Sequence, residues 1–150
     1  MHHLHAACAV AFVGVLLGAP AAASSAPALQ YTVAGDGIPH SLTGVPGDPT
    51  RGKALVADRK LGNCVACHQL PLDAPFQGNV GPNLAGVGSR LSVPQLRLRV
   101  VDMKLVDATT IMPAFYRVAG LNDVAQDFQG RPMLSAQQVE DVVTFLETLK

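Results

Sequence analysis

Cys64-Val65-Ala66-Cys67-His68 is a C-x-x-C-H run, the spacing by which a chain attaches a c-type haem. Two thiols separated by two residues reach the two vinyl groups of one porphyrin as thioethers. The adjacent His comes under the iron as the proximal axial ligand. Two other readings use the same residues: a thioredoxin-like redox pair with a bystander His, or half of a zinc site. A zinc site needs two more ligands, yet beyond residue 23 His40 is the only other His and no third Cys exists. A thioredoxin fold needs strands around the motif, and no alternating pattern surrounds it. The run therefore predicts one covalently bound haem c, anchored at Cys64 and Cys67 with His68 on the iron.

The sixth ligand has to come from elsewhere. Three Met residues follow Met1, at Met103, Met112 and Met133. Met112 precedes Pro113 in Thr110-Ile111-Met112-Pro113-Ala114-Phe115-Tyr116. Proline forces its predecessor into an extended backbone, and such a loop can present a thioether to a metal. Met103 lies in the periodic run 93–106 and reads as a core or interface residue. Met133 follows Arg131-Pro132 just before the last helical pattern and could cap the pocket. Met112 is the expected distal ligand. His/Met ligation raises the reduction potential and closes the iron to small substrates, which favours an electron carrier over a haem enzyme or sensor with an exchangeable sixth position.

Helical signals flank the motif. Asp48-Pro49 is a good cap and first helical residue for a helix running to Leu61, with Ala54, Leu55 and Leu61 on its apolar side and Gly62 ending it. Ser92 caps a second helix, with Leu96, Val100, Met103 and Leu105 facing inward. Ser135-Ala136-Gln137-Gln138 has capping-box spacing, and Val139, Val142, Val143, Leu146 and Leu149 follow at helical intervals. The architecture is all-α.

Ahead of these lie two segments of different character. Residues 9–23 are almost wholly apolar, too short to span a bilayer as a helix, and end in Ala21-Ala22-Ala23. They read as the core of a signal peptide over residues 1–23, although Met1-His2-His3-Leu4-His5 lacks Lys or Arg and an uncleaved anchor is the rival. Cys8 would leave with the leader. Export agrees with haem c attachment, which takes place outside the cytoplasmic membrane, and places the mature chain in the periplasm with no membrane span after cleavage. Residues 24–48, rich in Ser, Ala, Pro and Gly, form an irregular extension, leaving 49–150 as the haem domain. Eleven Lys+Arg against eleven Asp+Glu give no net sign, so nothing points to nucleic acid. Arg90, Arg97, Arg99 and Lys104, with Arg51, Lys53, Arg59 and Lys60, read either as solvated helical faces or as a docking surface near the haem.

Gly78-Asn79-Val80-Gly81-Pro82-Asn83-Leu84 is similar to the G-P-x-L loop of class I cytochromes c. That resemblance implies a helical fold around one haem, with the first and last helices crossing, and a Pro82 carbonyl that accepts a hydrogen bond from His68 Nδ1. From about residue 36 onward, Ile38-Pro39-His40-Ser41-Leu42-Thr43-Gly44, the Met-Pro-Ala-Phe-Tyr loop and the stretch from Gly130-Arg131-Pro132 to Glu140-Asp141 resemble the SoxX family. Its members are the monohaem cytochrome c subunits of SoxAX complexes. The resemblance implies a heterodimer with a larger haem-bearing SoxA subunit that joins thiosulfate to a carrier-protein cysteine. This chain would then be the electron-accepting, non-catalytic subunit of an L-cysteine S-thiosulfotransferase, passing electrons to a soluble cytochrome c. The competing reading is a free class I cytochrome c shuttle.

Overall fold

The computed structural model describes residues 30–150; the expected leader, residues 1–23, lies outside them. Among the described residues, four α-helices and three short 3-10 turns make up the regular structure: α1 (Pro49–Ala57), α2 (Val87–Arg90), α3 (Val93–Asp102) and α4 (Ala136–Thr148), with turns at Cys64–Ala66, Met103–Leu105 and Gln126–Phe128. Among the described residues the only strand-like feature is an isolated bridge between Ala34 and Gly37. No helix there is long and apolar enough to cross a membrane. The all-α expectation holds.

The cap at the start of α1 forms as its sequence predicts. Asp48 accepts from the N–H groups of Thr50 and Arg51, with Pro49 at the first helical position. The helix ends at Ala57, short of the expected Leu61, because the Asp58 carboxylate accepts the Lys60 N–H (2.8 Å) and opens a turn that competes with the helix. Leu55 and Leu61 are half-buried against the core as expected, but Ala54 is not. Gly52 and Val56 are the buried residues of α1, while Ala54 is exposed. The cause is the crossing of α1 on α4: a Cβ on Gly52 would stand well inside van der Waals contact of the Asp141 carbonyl oxygen. Only glycine lets the two backbones approach this closely.

α4 is the pillar against which the rest packs. Ser135 and Gln138 cap it reciprocally, backbone N–H to side-chain oxygen in each direction (2.8 and 3.2 Å). Val139, Val142, Val143 and Leu146 are buried as expected. α1, α2 and α3 all lie on α4. In α3, Leu96 and Val100 face inward, but the helix stops at Asp102, whose carboxylate accepts the Lys104 N–H (3.0 Å). Met103 is therefore half-buried in the following turn, and Leu105 is 53% exposed instead of inward-facing.

Residues 30–48 are irregular yet closely bound to this helical frame. Ile38 is 1% exposed, and its N–H donates to the Pro94 carbonyl (3.0 Å). Arg97 and Glu140, on α3 and α4, form a buried, two-pronged ion pair (2.8 and 3.0 Å). Arg97 also donates to the Ile38 carbonyl (2.7 Å), and Glu140 accepts the Leu42 N–H (2.9 Å). The paired charges thus have their remaining hydrogen-bonding capacity met by backbone from the extension, which is what makes their burial tolerable. Both surface readings of Arg97 are corrected by this: it lies in the core.

Candidate haem site

The motif residues are gathered by a turn that follows directly from their spacing. Cys64 to Ala66 form a 3-10 turn entered through Asn63 in the left-handed region (φ 46°), a conformation Asn tolerates better than most residues. The Cys67 and His68 N–H groups both return to the Cys64 carbonyl (3.1 and 2.9 Å). Both cysteines are free thiols, half-buried. Burial pushes the Cys64 thiol up to about 11, so at neutral pH it is protonated, unlike the activated thiolate of a disulfide oxidoreductase.

The Gly-Pro loop is laid along the motif by three backbone bonds: Gly78 N–H to Val65, Gly81 N–H to Cys67 and Leu84 N–H to Gln69 (each 2.8 Å). It delivers the contact implied by the class I resemblance, His68 Nδ1 lying 2.7 Å from the Pro82 carbonyl oxygen. A carbonyl partner makes Nδ1 the protonated nitrogen and leaves Nε2 with its lone pair free for a metal. Gly81 lies flat against the ring: a Cβ there would collide with His68 Cε1. Gln77 braces the same segment, accepting from the Leu70 N–H and donating to the Leu72 carbonyl (2.6 and 2.9 Å). Neither the Gly81 contact nor the Gln77 brace is signalled by the sequence.

Met112 sits in the non-helical stretch expected of it and is half-buried. It packs against the same apolar cluster as Cys64 and Met133. The residues after it are tied down on both sides, Tyr116 N–H to the Val101 carbonyl (3.1 Å) and Leu134 N–H to the Phe115 carbonyl (3.0 Å).

The basic residues differ in their surroundings. Arg51 pairs with Asp48 and with buried Asp141, and Arg90 donates to the Ala85 and Asn83 carbonyls. Lys104 donates to the Thr110 carbonyl, while Lys53, Arg59 and Lys60 are exposed.

The described residues hold no group of three or more His, Cys, Asp or Glu able to chelate a bare metal ion. Two unpaired thiols, an imidazole oriented through Nδ1 and a side-chain-free approach at Gly81 suit a porphyrin-borne iron instead. The donor set fits haem c.

A family model described as Cytochrome c matches residues 49–150. The chain belongs to the cytochrome c family, whose domain implies covalently bound haem c. Among solved structures, one chain of "Crystal structure of SoxXA from P. pantotrophus" is 42% identical, with a TM-score of 0.75, covering 80% of this chain and 94% of that one. This chain is accordingly a SoxX-type cytochrome with the class I fold. No curated protein matches the sequence.

Proposed function

We propose that this chain is the periplasmic, monohaem electron-transfer subunit of a SoxAX-type complex, partnered by a larger haem-bearing SoxA subunit that conjugates thiosulfate to a carrier-protein cysteine. The single observation that carries the reading is the His68–Pro82 contact inside the C-x-x-C-H turn, on a chain 42% identical to a chain of SoxXA. In this reading Cys64 and Cys67 would hold haem c as thioethers, and His68, through Nε2, and Met112 would be its iron ligands. When bound, haem c supplies a one-electron couple, with its potential raised by His/Met ligation. Pro82 fixes the ring and its tautomer, which raises imidazole basicity. Beyond residue 23 the only cysteines are the two anchors, so the sulfur chemistry falls to the partner. Electrons then leave for a soluble cytochrome c.

The test is purification from the native host. The chain should co-elute with a second haem protein, and its oxidised form should show the sulfur-to-iron charge-transfer band, abolished by Met112→Ala. A lone stable monomer in the extract overturns the partner assignment. A wild-type protein without the band overturns the Met112 assignment.

A further inference from the structure

We propose that Asp102 and Lys104, at the end of α3, are positioning residues that hold the Met112 thioether on the iron. The proposal rests on the reading of Met112 as the distal ligand. A thioether is a weak neutral donor, so its retention depends on how firmly the surrounding backbone is held in the ligating geometry. The stretch around Met112 has no helix of its own to supply that firmness. Locally, its N–H reaches only the Thr110 hydroxyl, at 3.2 Å.

What holds the stretch is the end of α3. Upstream of Met112, Lys104 Nζ donates to the Thr110 carbonyl (2.7 Å). Downstream, Arg117 Nη1 donates to Asp102 Oδ2 (3.0 Å). The two grips are joined through one carboxylate, because Asp102 Oδ1 also accepts the Lys104 backbone N–H (3.0 Å). Asp102 leaves the helix with an extended backbone (φ −160°) and is 1% exposed. A carboxylate this deeply buried is tolerated only with its hydrogen-bond partners in place, so its position is not free to drift. Arg117 carries the restraint onward, donating to the Ala119 and Gly120 carbonyls (2.7 and 3.2 Å). The chain on either side of Met112, at Thr110 and at Arg117, is therefore clamped to a single point on the rigid frame.

The experiment uses the oxidised holoprotein and follows the rate at which added imidazole replaces Met112, read as loss of the charge-transfer band. Lys104→Leu removes the upstream grip without offering a new iron ligand. It should raise that rate about tenfold, the factor one net hydrogen bond is worth, and Lys104→Arg should restore it. Asp102→Asn removes the charge that Arg117 meets and weakens the hold on the Lys104 backbone, and should raise the rate as well. Lys53→Leu, which removes an exposed lysine on α1, is the control and should leave the rate unchanged. A Lys104→Leu rate equal to wild type, or a rise of the same size in Lys53→Leu, overturns the proposal while the band persists. Absence of the band from wild type removes the Met112 reading itself and the proposal with it.

Discussion

His68 and Met112 are held by opposite kinds of structure. His68 is fixed by its own neighbourhood: its N–H returns to the Cys64 carbonyl, and its Nδ1 meets a carbonyl 14 residues on. Met112 is held from outside, by α3 through Val101, Asp102 and Lys104 and by Leu134 ahead of α4. A locally built site survives damage to the distant frame, whereas a site hung from the frame inherits every change in it. In the proposed site the His68 side should therefore be the sturdier of the two, and the Met112 side the one that gives way first.

The largest test of this contrast is Arg97→Met. It leaves Glu140 buried and unpaired at the α3–α4 junction, which costs about 3–5 kcal/mol when a buried pair loses one partner. Thermal unfolding should shift by that amount, and the charge-transfer band should vanish on heating well before the visible signature of the His-bound haem changes. Simultaneous loss of both signals would break the comparison. Replacing Arg97 and Glu140 together by Leu should recover much of the stability.

Gly81→Ala probes the proximal side directly. The new methyl meets the imidazole edge with a hydrogen-bonded loop behind it, so the strain has no soft outlet. The expected cost is about 2–3 kcal/mol, at the upper end for overpacking. It should be accompanied by weaker haem incorporation, measured by the covalently retained haem per polypeptide. A normal haem yield would mean that the proximal loop is more compliant than its bonds suggest.

Ser135→Ala removes one half of the α4 capping box and should cost about 1 kcal/mol in chemical denaturation, acting on both sides alike. Acid gives the smallest effect. The Arg51 guanidinium holds the Asp141 carboxyl below the usual carboxylate range, helped by the Asp48 N–H and Gln137. A carboxyl depressed in the folded state stabilises fully above its unfolded value, about 4, and that contribution is lost as pH falls through the lower folded value. Because Arg51 is largely exposed, the decline should be shallow and reduced by salt. Urea midpoints between about pH 5 and about pH 3 would show it, and Arg51→Gln should flatten it.

The same contrast separates what neighbouring residues announce from what only packing decides. The C-x-x-C-H turn, the Asp48-Pro49 start of α1 and the Ser135–Gln138 box are short-range patterns, and each forms where its residues predict. Met112 is legible in the sequence as a residue in an extended loop because proline acts on its immediate predecessor. The devices that hold the loop are not. Asp102 and Arg117 are 15 residues apart and Arg97 and Glu140 are 43 apart, and no periodicity announces a pairing across such a separation. Charged side chains on a helix read as exposed, so the sequence alone puts Arg97 at the surface. The close approach at Gly52 is equally silent, because a missing side chain leaves no mark in a hydrophobic pattern. It moves the buried face of α1 away from the expected Ala54 side.

The strap ahead of the haem domain has a consequence for how the protein is divided. The match to the family model begins at Pro49, yet Ile38 and Leu42 lend backbone groups to the buried charges of α3 and α4. The stretch that the family model matches is therefore shorter than the unit that folds here. A shortened version starting at Pro49 would keep every residue proposed to bind haem while leaving the Arg97 guanidinium and the Glu140 carboxylate short of hydrogen-bond partners in its interior. The folded unit reaches upstream of where the family model begins, past Ile38 to Asp36, which accepts from Gln95 of α3, and to Tyr31, whose ring lies against Tyr116.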